Sequence, residues 1–512
     1  MNAGISRILF VAICLAATGL ALRMTPATPP RAALAAAPQD SPPGAWAALA
    51  PPEWKGRFLG AGSCTASACH GNVPHRGPRG AEFSIWLQSD RHALAYHSLL
   101  TRRSQDIVRK LGLKPAHTEA LCLECHSLTG KAEEIFPGPN GPSGNGPGRN
   151  GVLADGVSCE ACHGAAEHWL ERHKRHRLSA AQRDFDWRSL SGEQKSNWGF
   201  HDTKSILGRT TVCLKCHVGS PAADVNHDLI AAGHPRLYFE MSTYEAKVPP
   251  HWDGARDRQS HPALDARLWA VGQLATADAA LALLEHRSSL KPPSPWPEFA
   301  EYGCFNCHHG LTGSDWRQKP DLSGHPGRYQ WGTWNFALIE RLVRTREGDS
   351  TADALQAQLR DFHDLMAQPV PAQDDVIKQS RLLRGMFQEL ARQADQGPYN
   401  ADDVQRLMMS LTQAIADDGT RDWDTATQLC LALAAIAHSQ HDAAQSDTSS
   451  ASGYSTANPA IFNELQGIRN LLRFPAANEK LRFSSPRDFG KQQRIDDLTA
   501  RWERLRQIIE AK

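Results

Sequence analysis

Ten of the twelve cysteines in the chain stand in pairs, and a histidine directly follows each pair. Two residues separate the cysteines in four of the pairs, and four residues separate them in the first. The motifs are Cys64, Cys69 and His70; Cys122, Cys125 and His126; Cys159, Cys162 and His163; Cys213, Cys216 and His217; and Cys304, Cys307 and His308. In a CxxCH sequence the thiols attach a haem covalently and the histidine binds its iron. The pattern therefore predicts five covalently bound haem c groups.

Paired cysteines also occur in zinc sites and in redox dithiols. Zinc sites rarely place a histidine directly after every second cysteine. A redox dithiol needs a single pair on a thioredoxin-like βαβ unit, which the sequence does not show. The first motif departs from the common spacing, but His70 occupies the ligand position and we count it as a haem site.

The axial position opposite each motif histidine decides the chemistry of the iron. A second histidine there favours electron transfer, whereas a vacant position permits substrate chemistry. The chain has 23 histidines, so their supply does not limit ligation by two histidines. His117 shortly precedes Cys122, and His227 and His234 are two helical turns apart; all three are candidate distal ligands. We rank His309 lower, and His75, His97, His201, His251, His261, His286 and His325 lower still.

Three stretches around the motifs resemble the multihaem cytochromes c of the cytochrome c554 family. They are residues 86–92 (WLQSDRH), residues 156–164 (GVSCEACHG) and residues 226–237 (NHDLIAAGHPRL). The resemblance covers roughly residues 58–335. It implies that His92 is a distal ligand, together with either His168 or His173. We favour His173, because Trp169 lies one turn before it.

The elements that must position these residues are mainly α-helical. We predict a pentahaem cytochrome c domain over residues 53–335 with little regular secondary structure, apart from one long helix from Leu264 to Arg287 that braces it. A C-terminal helical bundle follows over residues 336–512, with a disordered loop at 440–459. The apolar faces of Val404 to Ile415 and of Leu429 to Ile436 indicate two of its helices.

The N-terminus indicates export. The apolar run from Ile8 to Leu22 is short for a membrane span, which needs about 20 residues. Residues 1–35 are therefore predicted to be a signal peptide or an N-terminal anchor, and residues 36–52 a Pro- and Ala-rich linker. The protein is expected to be periplasmic or otherwise exported, with membrane association through the N-terminus as the alternative.

The charge balance of 56 basic and 55 acidic residues gives no indication of nucleic-acid binding. We predict a carrier that transfers single electrons between redox partners, which are other redox proteins or a quinol-linked respiratory complex. The alternative is an oxidoreductase that acts on nitrite, nitric oxide or hydroxylamine at one open haem. A third hypothesis is a structural subunit that anchors a larger respiratory complex through its C-terminal bundle.

Overall fold

The computed structural model of the protein describes residues 56–73, 77–131, 152–174, 186–292, 294–304, 307–308, 329–446, 459–473 and 492–511. The predicted signal peptide or anchor (1–35) and the linker (36–52) lie outside these residues. We refer below to the described residues up to 308 as the haem part, and to those from 329 onwards as the C-terminal part.

The described residues are mainly α-helical, as predicted. They contain no β-strand, because the one β-bridge, between Tyr302 and Trp331, is isolated. The helices of the haem part are α1 (Glu82–Ser89), α2 (Ala95–Leu99), α3 (Arg102–Lys110), α4 (Ala120–His126), α5 (Cys159–His163), α6 (Leu170–Lys174), α7 (Gly192–Ser196), α8 (Ile206–His217), α9 (His227–Ala232), α10 (Met241–Glu245), α11 (Gly254–Ser260) and α12 (Leu264–Ser289).

Local side-chain caps and glycines fix the ends of several short helices of the haem part. The side chains of Ser205, Asn226 and Glu240 accept backbone N–H groups at the starts of α8, α9 and α10. Such caps satisfy donors that the first helical turn leaves unpaired. Gly164 and Gly233, with φ of 87° and 128°, end α5 and α9. The polypeptide therefore turns often, and each motif is positioned by its own short segment.

Helix α12 is the long helix predicted from Leu264 to Arg287, and it is buried along most of its length. It packs against α8, which ends in the fourth motif, and against the C-terminal part. Gly272 permits a close approach to α10, because a Cβ atom at this position would lie 2.4 Å from the Cβ atom of Met241. The prediction of one long helix beginning at Leu264 is confirmed.

The C-terminal part consists of helices that are mostly longer than those of the haem part. They are α13 (Thr333–Phe336), α14 (Ile339–Glu347), α15 (Asp349–Met366), α16 (Gln373–Gln396), α17 (Ala401–Asp418), α18 (Trp423–Ser446), α19 (Pro459–Leu472) and α20 (Gln492–Glu510). Helices α17 and α18 contain the two predicted apolar faces, and Val404, Leu407, Leu429 and Ile436 are all buried.

One predicted boundary is wrong. Helix α18 continues through residues 440–446, where the sequence predicts the start of a disordered loop. Residues 447–458 lie outside the described residues, and α19 begins at Pro459. Polar residues at the end of an amphipathic helix resemble a polar linker in composition, so composition alone placed the boundary too early.

Buried ion pairs connect the two parts. Asp278 on α12 accepts hydrogen bonds from Arg384 at 2.9 Å and from Gln388 at 3.1 Å, both on α16. Its side chain is 2% exposed. Arg384 also bonds Glu285 at 2.8 Å. Because charges inside a protein must be paired, this network fixes the position of α16 on α12.

Candidate haem-binding sites

Three motifs end helices. The second, third and fourth motifs are the last residues of α4, α5 and α8, and each helix ends at the motif histidine. Cysteines three residues apart lie on the same face of a helix. Each of these helices therefore presents its two thiols to one side, with the imidazole next to them.

The first and fifth motifs have a different local structure. The first begins at Cys64, the last residue of a 3₁₀ helix. The chain then turns, and the backbone N–H groups of Cys69 and His70 both donate to the carbonyl of Ala66. The turn accommodates the longer spacing between Cys64 and Cys69. The fifth motif begins at Cys304, and the two residues between its cysteines lie outside the described residues.

None of the ten motif cysteines forms a disulfide, and cysteines from different motifs lie next to each other. The Cys64 thiol hydrogen-bonds that of Cys159, and the Cys125 thiol hydrogen-bonds that of Cys216. Lys215 also lies 3.4 Å from Glu124, between the second and fourth motifs. The first motif thus adjoins the third, and the second adjoins the fourth.

Four motif histidines face a histidine from elsewhere in the chain. A metal lies about 2 Å from an imidazole nitrogen, so an ion between two opposed rings separates their centroids by about 6 Å. The pairs are His70 and His173 at 5.9 Å, His217 and His92 at 6.1 Å, His163 and His251 at 6.4 Å, and His308 and His227 at 6.5 Å. Every pair joins one motif histidine to one that is not in a motif, as an iron with two axial histidines requires.

The predicted distal candidates are not all placed alike. His92, His173 and His227 belong to these pairs. Burial lowers the pKa of His234, and His126 lowers it further by a smaller amount. The rings of His234 and His126 do not form a pair at the centroid distance of the four pairs above. His117 forms no ring contact with a motif histidine in the described part of the chain. His168, the alternative to His173, has a side chain that is 53% exposed and lies 3.9 Å from Glu167.

Sequence reasoning missed His251, which faces His163. It stands between Pro250 and Trp252, in a stretch with neither a periodic pattern nor a motif. His251 contacts Trp252 at 5.2 Å between ring centroids, and it hydrogen-bonds the Pro249 backbone. The two prolines before it were the only available signal, because they restrict the backbone around the histidine.

Hydrogen bonds on one ring nitrogen leave the other nitrogen of several histidines available. The Nδ1 atom of His70 lies 2.9 Å from Glu82, and that of His92 lies 2.9 Å from Asp90. The Nδ1 atom of His126 lies 2.9 Å from the Ser98 hydroxyl, and that of His234 lies 2.8 Å from the Pro235 carbonyl. Metal-binding histidines are commonly oriented by such a bond on their second nitrogen.

Burial keeps the imidazoles of His163 and His217 neutral. Burial lowers the pKa of His163 to about 3 and that of His217 to about 4. A neutral imidazole carries the lone pair that a metal needs. Burial also raises the pKa of the Cys162 thiol to about 12, whereas hydrogen bonds from Cys64 and Cys125 lower the pKa values of Cys159 and Cys216. Among the described residues no group of three or more His, Cys, Asp or Glu side chains forms a metal site by itself.

The described residues fit haem. A covalently attached, largely apolar ring needs cysteines for attachment, imidazoles for its iron and apolar contacts. The haem part has paired imidazoles, cysteines beside them and large apolar side chains at its surface. The exposed apolar side chains of this region are Val73, Leu87, Leu94, Leu100, Leu113 and Phe299. A large apolar group next to them would remove this surface from water.

A helix with the length and hydropathy of a membrane span is not found in the described part of the chain. Residues 64–164 match the family model of cytochrome c554 and c-prime. The match covers the first three motifs and confirms the predicted resemblance over residues 64–164; the stretch at residues 226–237 lies outside it. No curated protein and no solved structure matches the chain. The matched residues, about a fifth of the chain, are therefore similar to cytochromes c554 and c-prime.

Proposed function

We propose that the protein is an exported, periplasmic pentahaem cytochrome c that transfers single electrons between redox partners through irons held by two histidines each. One observation carries the proposal: four motif histidines face four other histidines, with ring centroids 5.9–6.5 Å apart. When bound, haem supplies an iron that accepts and releases one electron. The partners are other redox proteins or a quinol-linked respiratory complex.

The residues have distinct roles in this proposal. The ten motif cysteines hold the rings covalently, and His70, His126, His163, His217 and His308 are the proximal ligands. His173, His251, His92 and His227 are the distal ligands opposite the first, third, fourth and fifth of these. His234 is the candidate opposite His126, because it is a histidine outside the motifs whose pKa His126 helps to lower. Imidazoles on both sides of an iron exclude water and substrate from it, which suits electron transfer.

Neighbouring motifs support transfer over short distances. The thiol contacts join the first motif to the third and the second to the fourth. Arg236, which follows His234 closely, donates a hydrogen bond of 2.8 Å to the Cys304 sulfur. The segment that carries the candidate ligand for the second motif thus also contacts the fifth.

Two measurements test the proposal. Pyridine-haemochrome quantitation with intact mass is expected to give five haems, and a mass short by one haem contradicts that count. Low-temperature EPR of the ferric protein is expected to show only low-spin iron, and carbon monoxide is expected to leave the ferrous spectrum unchanged. His173→Gly should create one high-spin iron that binds carbon monoxide. The matched variant His168→Gly should not.

The second candidate function is an oxidoreductase for nitrite, nitric oxide or hydroxylamine. One observation favours it. Among the described residues, no imidazole lies opposite the His126 ring at the centroid distance found for the other four motif histidines. An open position at the second motif would give a carbon monoxide shift of about one fifth of the total haem amplitude in the unmodified protein. That result would replace the carrier by the enzyme.

A further inference from the structure

Two of the histidines proposed as ligands hydrogen-bond a carboxylate. Three others, His126, His234 and His251, hydrogen-bond neutral groups. His70 is bonded by Glu82 and His92 by Asp90, each at 2.9 Å from Nδ1. By contrast, His126 bonds the Ser98 hydroxyl and the Ala95 carbonyl. His234 and His251 bond backbone carbonyls. The ligand sets therefore differ in the charge just outside them.

Helix α1 positions both carboxylates. Glu82 is its first residue, and Asp90 directly follows its last. The backbone holds the first contact in place, because the N–H group of Phe83 donates to the carbonyl of His70 at 3.0 Å. Asp90 is fixed by a second hydrogen bond, from the backbone N–H of His92 at 2.9 Å. One helix thus presents a carboxylate at each end to a different histidine.

Both contacts are only partly shielded from water, because the side chains of His92 and His70 are 37% and 35% exposed. The side chain of Asp90 is 10% exposed and that of Glu82 is 26% exposed. A hydrogen bond to a charged acceptor is roughly twice as strong as one to a neutral acceptor. An ionised acceptor on Nδ1 also makes the imidazole a more basic ligand. A more basic ligand stabilises Fe(III) relative to Fe(II), so it lowers the midpoint potential of that iron.

We propose that Glu82 and Asp90 are positioning residues that lower the potentials of two irons, the one between His70 and His173 and the one between His217 and His92. The inference rests on the proposed function, since it needs both irons to be bound by these histidines. Glu82 acts through the motif histidine of the first site, whereas Asp90 acts through the opposing histidine of the fourth. The chain would thereby make two of its redox centres harder to reduce than they would be with neutral acceptors.

The test compares Glu82→Gln and Asp90→Asn with the unmodified holoprotein by potentiometric titration followed in the visible and EPR spectra. Each amide keeps an oxygen acceptor but removes the charge, and Asn still serves as an N-cap at position 90. We expect each variant to change the preference of the matching iron for the ferric state about tenfold, which raises that midpoint potential by about 59 mV. The g values of the matching low-spin signal should change with it. Both carboxylates also act on His251, so the midpoint potential of the iron of the third site should shift by a smaller amount.

Asp106→Asn is the matched control, because Asp106 pairs with Arg109 on the surface of α3 at 2.6 Å and contacts no histidine. It should leave all midpoint potentials unchanged. Unaltered potentials in both variants, with the full haem content and low-spin spectra retained, would overturn the inference and leave the proposed function standing. High-spin iron in the unmodified protein at either site would instead overturn the ligand assignment on which both depend. Because the two variants address separate sites, failure of one to fold leaves the other as a complete test.

Discussion

The haem part and the C-terminal part differ in how they bury apolar side chains. Among the described residues, the haem part leaves Val73, Leu87, Leu94, Leu100, Leu113 and Phe299 exposed, and the C-terminal part leaves Val370. The haem part is also built from short helices before α12, whereas α15 to α18 have 18 to 24 residues. The C-terminal part closes its core with its own side chains, and the haem part needs another apolar component.

The first prediction tests whether haem is that component. The intact chain, produced without haem, should lose the structure of residues 82–126, because isolated helices shorter than about 12 residues are marginal in water. Limited proteolysis with mass spectrometry should cut there first and leave a resistant fragment that contains α12 and α14 to α18. The holoprotein is the control and should resist cleavage throughout residues 82–126. Equal resistance of the two forms would contradict the difference between the two parts.

The second prediction concerns the network that joins the two parts. Arg384→Ala leaves the buried Asp278 carboxylate without its cation, and we expect the free energy of unfolding to fall by about 3 kcal/mol. The matched variant Arg381→Ala removes an arginine that is 67% exposed and bonds Glu285. Its loss should be below about 1 kcal/mol, since exposed ion pairs contribute little. Denaturant unfolding measures both, and equal losses would show that burial of Asp278 is not the cause.

The third and smallest effect concerns the contact of α12 with α10. Gly272→Ala places a Cβ atom 2.4 Å from that of Met241. The resulting strain of about 2 kcal/mol is partly offset by the better helix propensity of alanine, so we expect a net destabilisation of about 1 kcal/mol. Gly254→Ala, with no atom within 4 Å of the new Cβ, is the matched control and should be neutral or slightly stabilising. Thermal unfolding distinguishes them, and a stabilised Gly272→Ala would exclude a tight contact.

Much of the fold could be read from periodicity. The helix predicted from Leu264 to Arg287 extends from Leu264 to Ser289, and the apolar faces around Val404 and Leu429 belong to α17 and α18. The end of α18 could not be predicted in the same way, because its polar last turns have the composition of a linker. Whether residue 336 is a domain boundary stays a prediction.

The sequence by itself determined the attachment motifs, since two cysteines and a histidine within a few residues act as one local unit. The family resemblance also limited one distal ligand to His168 or His173. Only the tertiary structure placed His173 opposite His70, left His168 exposed and brought His251 to His163. An opposing ligand comes from a remote segment, so its identity depends on how the short helices pack. The same packing decided which histidines meet a carboxylate and which meet a neutral acceptor.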